Sequence, residues 1–174
     1  VLEEYGVTVP KQEILTCEID AIKFYNNYKD IVIKPTQQLG GKGVSILPQS
    51  EEQVLAAYKN AFKISHAPSD DKKVIGEEFI HGENYRFLVV GDEVVGIVRR
   101  KAAHVRGDGK NSVRKLIEEE NKKRKKNIMM PIVMDNEVII KLQRENMNLE
   151  SVPEEDQEVI LRYNCNLTTG GTTE

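Results

Sequence analysis

Cysteine is scarce in this sequence: Cys17 and Cys165 are the only two, far apart and in no CxxC or similar pair. A disulfide scaffold is excluded, and both are expected to be reduced thiols of a cytoplasmic protein. Long apolar runs are missing too. No stretch approaches the ~18 consecutive apolar residues of a membrane span, so no membrane partner is expected. The opening VLEEYGVTVPKQ lacks a charged head followed by an apolar core, and no secretory signal is read there. Charge of one sign is also lacking: 25 basic against 28 acidic residues leave a net −3. That balance gives no reason to expect wholesale nucleic-acid binding. There is no internal repeat.

What is present suits one compact domain or two small lobes. The 174 residues, 39% hydrophobic and 30% charged, are enough to bury a core without staples. VLEEYG starts as if in mid-helix, and LTTGGTTE stops just after a glycine pair, so both ends are expected to continue in a larger protein.

Residues 2–6 read as a helix closing at Gly6, and 7–15 as a short strand interrupted by Pro10. Thr16 is placed to cap a helix carrying Ile19, Ile22 and Tyr25 on one side. IVIKP and GVSIL are strands. Ser50 opens a helix with Gln53 as capping box and Val54, Leu55, Tyr58 and Phe62 as its apolar stripe. KVIGEEFI (73–80) is a strand, and YRFLVV and VVGIV flank a Gly91-Asp92 hairpin turn. HVRGDGKNS (104–112) reads as a loop, SVRKLIEEENKK as a helix, Asp135 as the cap of another, and EVILRY (158–163) as the last strand. The order is α+β, without the repeated βαβ of a parallel sheet.

The first functional signal is IVIKPTQQLGGKGVSIL (31–47). A P-loop needs GxxxxGK[ST] opening a helix. Here Thr36 holds the first glycine position, Gly43 stands where Ser or Thr should be, and a strand follows. The dinucleotide fingerprint fails because Ile46 stands where its third glycine should be. What remains is a glycine flap between strands. Gly40, Gly41 and Gly43, lacking Cβ atoms, let backbone N–H groups approach phosphate oxygens, with Lys34 and Lys42 at the same mouth. Alone, the stretch reads first as a flexible surface hairpin with incidental lysines.

It is not alone. IVIKP, the flap, GEEFIHGENYRFLVV, HVRGDGK and LRYNCNLTTGG follow in one order. Together they resemble the ATP-grasp fold over nearly the whole chain. The likeness is greatest to amide ligases of the cyanophycin synthetase type, with bifunctional glutathione synthetases close behind. The resemblance implies an α+β fold of two lobes with nucleotide between them, truncated in its C-terminal part. Residues 1–76 would be the nucleotide-covering lobe and 77–174 the first part of the catalytic lobe. It further implies that Lys34 contacts the α/β-phosphates, and that Gly40, Gly41, Lys42 and Gly43 close over the triphosphate. Glu77, Glu78, Phe79 and Ile80 would form the hinge that reads adenine. Glu83 or Asn84 would hold the ribose, though the family more often has an acid where Asn84 stands.

A ligase of this sort turns a carboxylate into an acyl phosphate that an amine then attacks. Its main work is positioning and neutralising charge. Arg86, Arg100 and Arg162 match the family's phosphate and substrate arginines, each in or beside an apolar strand where an unpartnered cation is costly. The hairpin register decides between neighbours. A two-residue turn puts Arg86 on the face of Arg99; a three-residue turn, or a bulge at Gly96, puts it on the face of Arg100. The resemblance favours Arg100; the sequence alone leaves both open, or a surface ion pair.

HVRGDGK resembles the family's AHVxGDGxxT segment, with Ala102 in place of the usual proline. His104 either orients substrate or is a satisfied loop histidine. His66 and His81 have no partners at metal-ligand spacing. KKRKK (122–126) follows EEE with no interleaved aromatics and reads as a solvated helix end. The same stretch lacks the family's DPxRGxGH segment. NCNLTTGG resembles the NLSTGG loop that closes on substrate and γ-phosphate, which points to Asn166, Thr168, Thr169, Gly170 and Gly171. ATP and magnesium are the implied cofactors. The family's magnesium carboxylates have no counterpart through Glu174, so metal ligands are expected beyond it, and the chain by itself should bind nucleotide weakly and catalyse poorly. The expected partners are amino-acid or peptide substrates, with a homo-oligomer possible. The rivals are a non-catalytic nucleotide-binding module and a binding protein using the basic run.

Overall fold

A computed structural model describes residues 2–38, 41–65 and 73–174. The chain forms two compact units, Val1–His81 and Gly82–Glu174. Among the described residues no helix is long and apolar enough to cross a membrane.

In the first unit the expected helix at 2–6 is a single 3-10 turn, Glu3–Tyr5, closed by Gly6 at φ 75°. Strand β1 is confined to Gln12–Leu15, after Pro10, whose ring offers no N–H to a ladder. Thr16 does not cap α1 (Glu18–Tyr28) as expected. Cys17 is the N-cap, one residue later, and makes no side-chain cap bond. Thr16 instead donates to Asp20, from its hydroxyl at 2.6 Å and its backbone N–H at 3.0 Å. The helix therefore turns a different face inward from the one expected. Ala21 and Phe24 are buried, Ile22, Tyr25 and Tyr28 pack at the margin, and Ile19 is exposed.

Strands β2 (Ile31–Pro35) and β3 (Ser45–Ile46), helix α2 (Glu51–Ile64) and strand β4 (Val74–Glu78) complete the unit. Ser50 caps α2 by accepting the Gln53 N–H, while the Gln53 amide oxygen accepts from Gln49 rather than Ser50. The α2 stripe is Val54, Ala57, Tyr58 and Ala61; Phe62, expected in it, is largely exposed. The sheet is antiparallel in the order β1-β4-β2-β3. Its two faces differ because side chains alternate along a strand. Leu15, Ile31, Ile33 and Val74 join α1 and α2 in one buried cluster. Gly76 lies on that face because a Cβ there would fall 2.8 Å from the Phe24 ring. The opposite face carries Ile14, Val32, Lys34, Ile46, Ile75 and Glu77.

The second unit opens with the hairpin β5 (Asn84–Val90) and β6 (Glu93–Lys101), the latter also paired with β9 (Thr172–Thr173). Residues 104–112, expected to be a loop, begin with strand β7 (His104–Arg106), which pairs with β8 (Glu158–Ile160). The last strand is thus shorter than 158–163. Beyond it the chain bends, and the Leu161 N–H donates to Ala103 at 2.7 Å. Helices α3 (Val113–Lys126) and α4 (Asn136–Arg144) are capped by Ser112 and Asp135. Their apolar faces pack on Ala103, Val105, Val159 and Leu161. The hairpin stands clear of this core, with Phe87, Leu88, Val89 and Ile97 all exposed.

Candidate functional site

The glycine flap is a hairpin, with Val32 opposite Ile46 and Ile33 opposite Ser45. Gly41 and Gly43 both sit at positive φ, 79° and 76°, backbone that glycine adopts without strain. Gly43 also lies close to Ile64 and Pro35. Gln38 anchors the incoming arm by donating to the Ile64 carbonyl at 2.7 Å. Lys42 is exposed at the tip. Gly40 lies outside the described residues, as does His66.

Lys34 stands on the sheet face turned away from α1 and α2. Its ammonium is 2.8 Å from the Glu77 carboxylate, both groups being partly buried. Around this pair the same face is apolar, through Val32, Ile46 and Ile75. Glu78 accepts the Lys11 N–H and returns its own N–H to the Lys11 carbonyl. Phe79 donates its N–H to Asp30, its ring meets His81 edge-on at 4.9 Å, and His81 reaches Asp30 at 2.7 Å. Ile80 is exposed.

In the second unit the hairpin register is settled by two devices together. Gly91-Asp92 is a two-residue turn, with Val90 opposite Glu93, and Val95 is an extra residue in β6, so that Leu88 faces Gly96 and Val89 faces Val94. Beyond this bulge Arg86 pairs with Val98 and Asn84 with Arg100. Cross-strand partners share a face, so Arg86 and Arg100 stand on one face with Asn84. Arg99 takes the other face, where it ion-pairs with Glu83 and Glu174. Glu83 also accepts the Tyr85 hydroxyl at 2.5 Å, which raises the Tyr85 phenol above its ordinary range. The Nε of Arg100 is buried and has no hydrogen-bond partner among the described residues.

The last loop comes back to this strand, since Thr173 pairs with Arg100. Burial pushes the Cys165 thiol up, and the nearby Arg100 charge opposes the shift. Within the loop, the Asn166 carbonyl accepts from the Thr169 and Gly171 N–H groups, and Gly170 closes the turn at φ 101°. The Thr169 hydroxyl donates to Asn164 at 3.2 Å. Thr168 is exposed. A Cβ on Gly171 would meet the Cys165 and Asn166 carbonyls at 2.9 Å.

Arg162 and His104 are already engaged. Arg162 is almost fully buried and meets Asp135 and Glu137, each at 2.5 Å, tying the last loop to the start of α4, although its Nε, like that of Arg100, has no partner among the described residues. His104 Nδ1 is 2.9 Å from the Ala102 carbonyl, and its Nε2 is 3.8 Å from Glu158.

The sequence reading missed Arg124. It stands inside the basic run taken as a solvated helix end, yet it is buried. Periodicity held the signal, because 113, 116, 117 and 124 fall on one helical face. Glu137 and Asn164 were missed as well, having no signature of their own. Among the described residues no three His, Cys, Asp or Glu side chains gather as a metal site.

No family model matches the chain. The glutathione biosynthesis bifunctional protein of Clostridium perfringens is 34% identical over 98% of this chain and 22% of its own length. The cyanophycin synthetase of Synechocystis is 32% identical over 98% of this chain and 20% of its own. Among solved structures, a bifunctional glutathione synthetase from Pasteurella multocida superposes with a TM-score of 0.47 at 29% identity, covering 99% of this chain and 24% of that one. The chain has the ATP-grasp fold. Its homologues are ligases of that fold, the glutathione and cyanophycin synthetases, of whose length it spans about a fifth.

Proposed function

We propose that this chain is the nucleotide- and substrate-gripping part of an ATP-dependent carboxylate–amine ligase of the cyanophycin synthetase type, acting on amino acids or peptides in the cytoplasm. The carboxylate oxygen takes the γ-phosphoryl group, giving an acyl phosphate and ADP. The amine then attacks the acyl carbon, phosphate leaves, and an amide remains. Positioning and charge neutralisation carry such chemistry.

In this reading residues 1–76 cover the nucleotide, with Lys34 and the 40–43 flap on its phosphates and the backbone of 77–80 at adenine. Residues 77–174 begin the catalytic lobe. There Glu83 or Asn84 meets the ribose, and Arg86 and Arg100 meet the transferring phosphoryl group. Asn166, Thr168, Thr169, Gly170 and Gly171 close on substrate, beside His104. Arg162 contributes by holding the base of that loop.

The observation that carries the reading is Arg100: a buried Nε–H with no acceptor among the described residues, on one face with Arg86 and beside the Cys165–Gly171 loop. An unsatisfied buried donor of a cationic group is costly, and an anionic oxygen satisfies it. Glutathione-type chemistry is the second reading, supported equally with the first: the chain is 34% identical both to the Clostridium perfringens protein and to the cyanophycin synthetase of Nostoc. The test is ADP release by the full-length protein with arginine plus an aspartyl peptide, against glycine plus γ-glutamylcysteine. Turnover with the first pair supports the cyanophycin type and turnover with the second supports the glutathione type. Silence with both refutes both substrate assignments.

A further inference from the structure

The segment between α3 and α4 has no regular structure over residues 128–134 and exposes Ile128, Met129, Met130 and Met134. It is nevertheless held at three points. Asn121 pairs with Ile132 as a strand neighbour would, its amide N–H₂ donating to the Ile132 carbonyl at 2.9 Å and its oxygen accepting the Ile132 N–H at 2.7 Å. Arg162 donates to the Val133 carbonyl at 3.1 Å. Arg124 donates to the Met130 carbonyl at 3.2 Å.

The same Arg124 nitrogen, Nη1, also donates to the Gly170 carbonyl at 2.8 Å, while its Nε donates to Glu120 at 3.1 Å. Arg124 thus spends one end on its own helix and the other on two separate pieces of backbone. Gly170 rests on the segment Arg124 holds, so closely that a Cβ there would fall 2.7 Å from the Ile132 Cα. At the other end of the loop, Glu137 accepts from Asn164 at 3.1 Å and from Arg162 at 2.5 Å. Asn164 in turn accepts the Thr169 hydroxyl.

We propose that Arg124 is a positioning residue for the substrate loop. From beneath, it fixes the backbone of residues 166–171 against the 130–132 segment, so that Asn166, Thr168 and Thr169 are presented in one conformation. Its role toward substrate rests on the ligase reading; its grip on the loop does not. A buried guanidinium bonded to two carbonyls and a carboxylate has little rotational freedom, and charge-assisted bonds of this kind are about twice as strong as neutral ones. Lysine cannot reproduce the fork.

The experiment compares the unaltered full-length protein with its Arg124→Met, Arg124→Lys and Gly170→Ala variants. Amide hydrogen exchange is read at 167–171 and at Val105 and Val159, and the KM values for ATP and for the carboxylate acceptor are read by ADP release. Arg124→Met is expected to speed exchange at 167–171 by about tenfold or more, leaving Val105 and Val159 unchanged. Acceptor KM should rise more than ATP KM, with Arg124→Lys intermediate in both readouts. Gly170→Ala, which leaves the arginine in place, should loosen the loop in the same way if Arg124→Met fails to fold. Unchanged loop exchange overturns the proposal, as does a loosened loop with acceptor KM unmoved in an active enzyme. If the unaltered protein releases no ADP, the ligase reading has failed, and exchange alone decides whether Arg124 holds the loop.

Discussion

Lys34 and Glu77 stand diagonally across neighbouring strands, ammonium to carboxylate at 2.8 Å, on the sheet face turned away from both helices of their unit. The pair is partly exposed, at 31% and 22% of the side chains, so it contributes on the order of 1 kcal/mol or less to folding. Any phosphate that approaches Lys34 therefore shares it with Glu77. Lys34→Met is expected to weaken nucleotide binding by about tenfold or more, while the free energy of unfolding changes by less than about 1 kcal/mol. Glu77→Gln should leave binding equal or tighter. Titration with a fluorescent nucleotide beside urea unfolding checks both; unchanged affinity in Lys34→Met removes the lysine from the phosphate site.

Arg100 and Cys165 report on each other. Burial raises the Cys165 thiol and the Arg100 charge partly counters that, whereas Cys17 is exposed. Thiolate is the form that alkylates. Iodoacetamide should therefore label Cys17 well before Cys165, and Arg100→Met should slow Cys165 further. Peptide mapping over a time course reads both rates. Faster labelling of Cys165 in Arg100→Met, with the fold intact, places the arginine elsewhere.

How far these features could be read without the structure depended on how local their cause is. Ser50 and Asp135 each cap a helix from within a few residues, and both were legible. The Gly91-Asp92 turn was legible for the same reason. The face of Arg100 was not, because the bulge at Val95 is set by pairing along the whole hairpin, and one extra residue inverts every side chain beyond it. Arg124 was hidden for another reason: neighbouring lysines made its charge look solvated, while its partners, Met130 and Gly170, are backbone carbonyls without a residue signature. The ATP-grasp resemblance survived these local misses because it rests on five motifs in order.

Acid should weaken the start of α1 in a defined window. The Thr16 hydroxyl and N–H bonds hold the Asp20 carboxyl below its ordinary value of 3.8. A carboxyl with a depressed folded pKa stabilises the fold above its unfolded pKa, and that contribution is lost as pH falls through the folded one. Thr16→Val removes the hydroxyl bond. The gap in urea midpoint between the two proteins should be constant above about pH 5 and should close below about pH 4. A gap that persists at pH 2.5 assigns the effect of Thr16 to something other than Asp20.

Gly76 and Phe24 define the tightest approach in the first unit. A Cβ on Gly76 would lie 2.8 Å from Phe24 Cδ1 and 3.1 Å from two further ring carbons. Phe24 is fully buried in the cluster that joins both helices to the sheet, so the ring cannot swing into solvent. Gly76→Ala must therefore displace either the ring or the strand that carries Glu77. Overpacking of this kind costs roughly 1–3 kcal/mol. Phe24→Leu alone leaves a cavity and should destabilise by about 1 kcal/mol or more. In the double variant the smaller side chain frees the space the new methyl group needs, so the two costs should fall short of their sum by about 1 kcal/mol. Urea unfolding of the four proteins measures this coupling. Simple additivity means that Gly76→Ala acts through the strand backbone rather than the ring, and nucleotide affinity of the single variant, through Lys34 and Glu77, then falls with it.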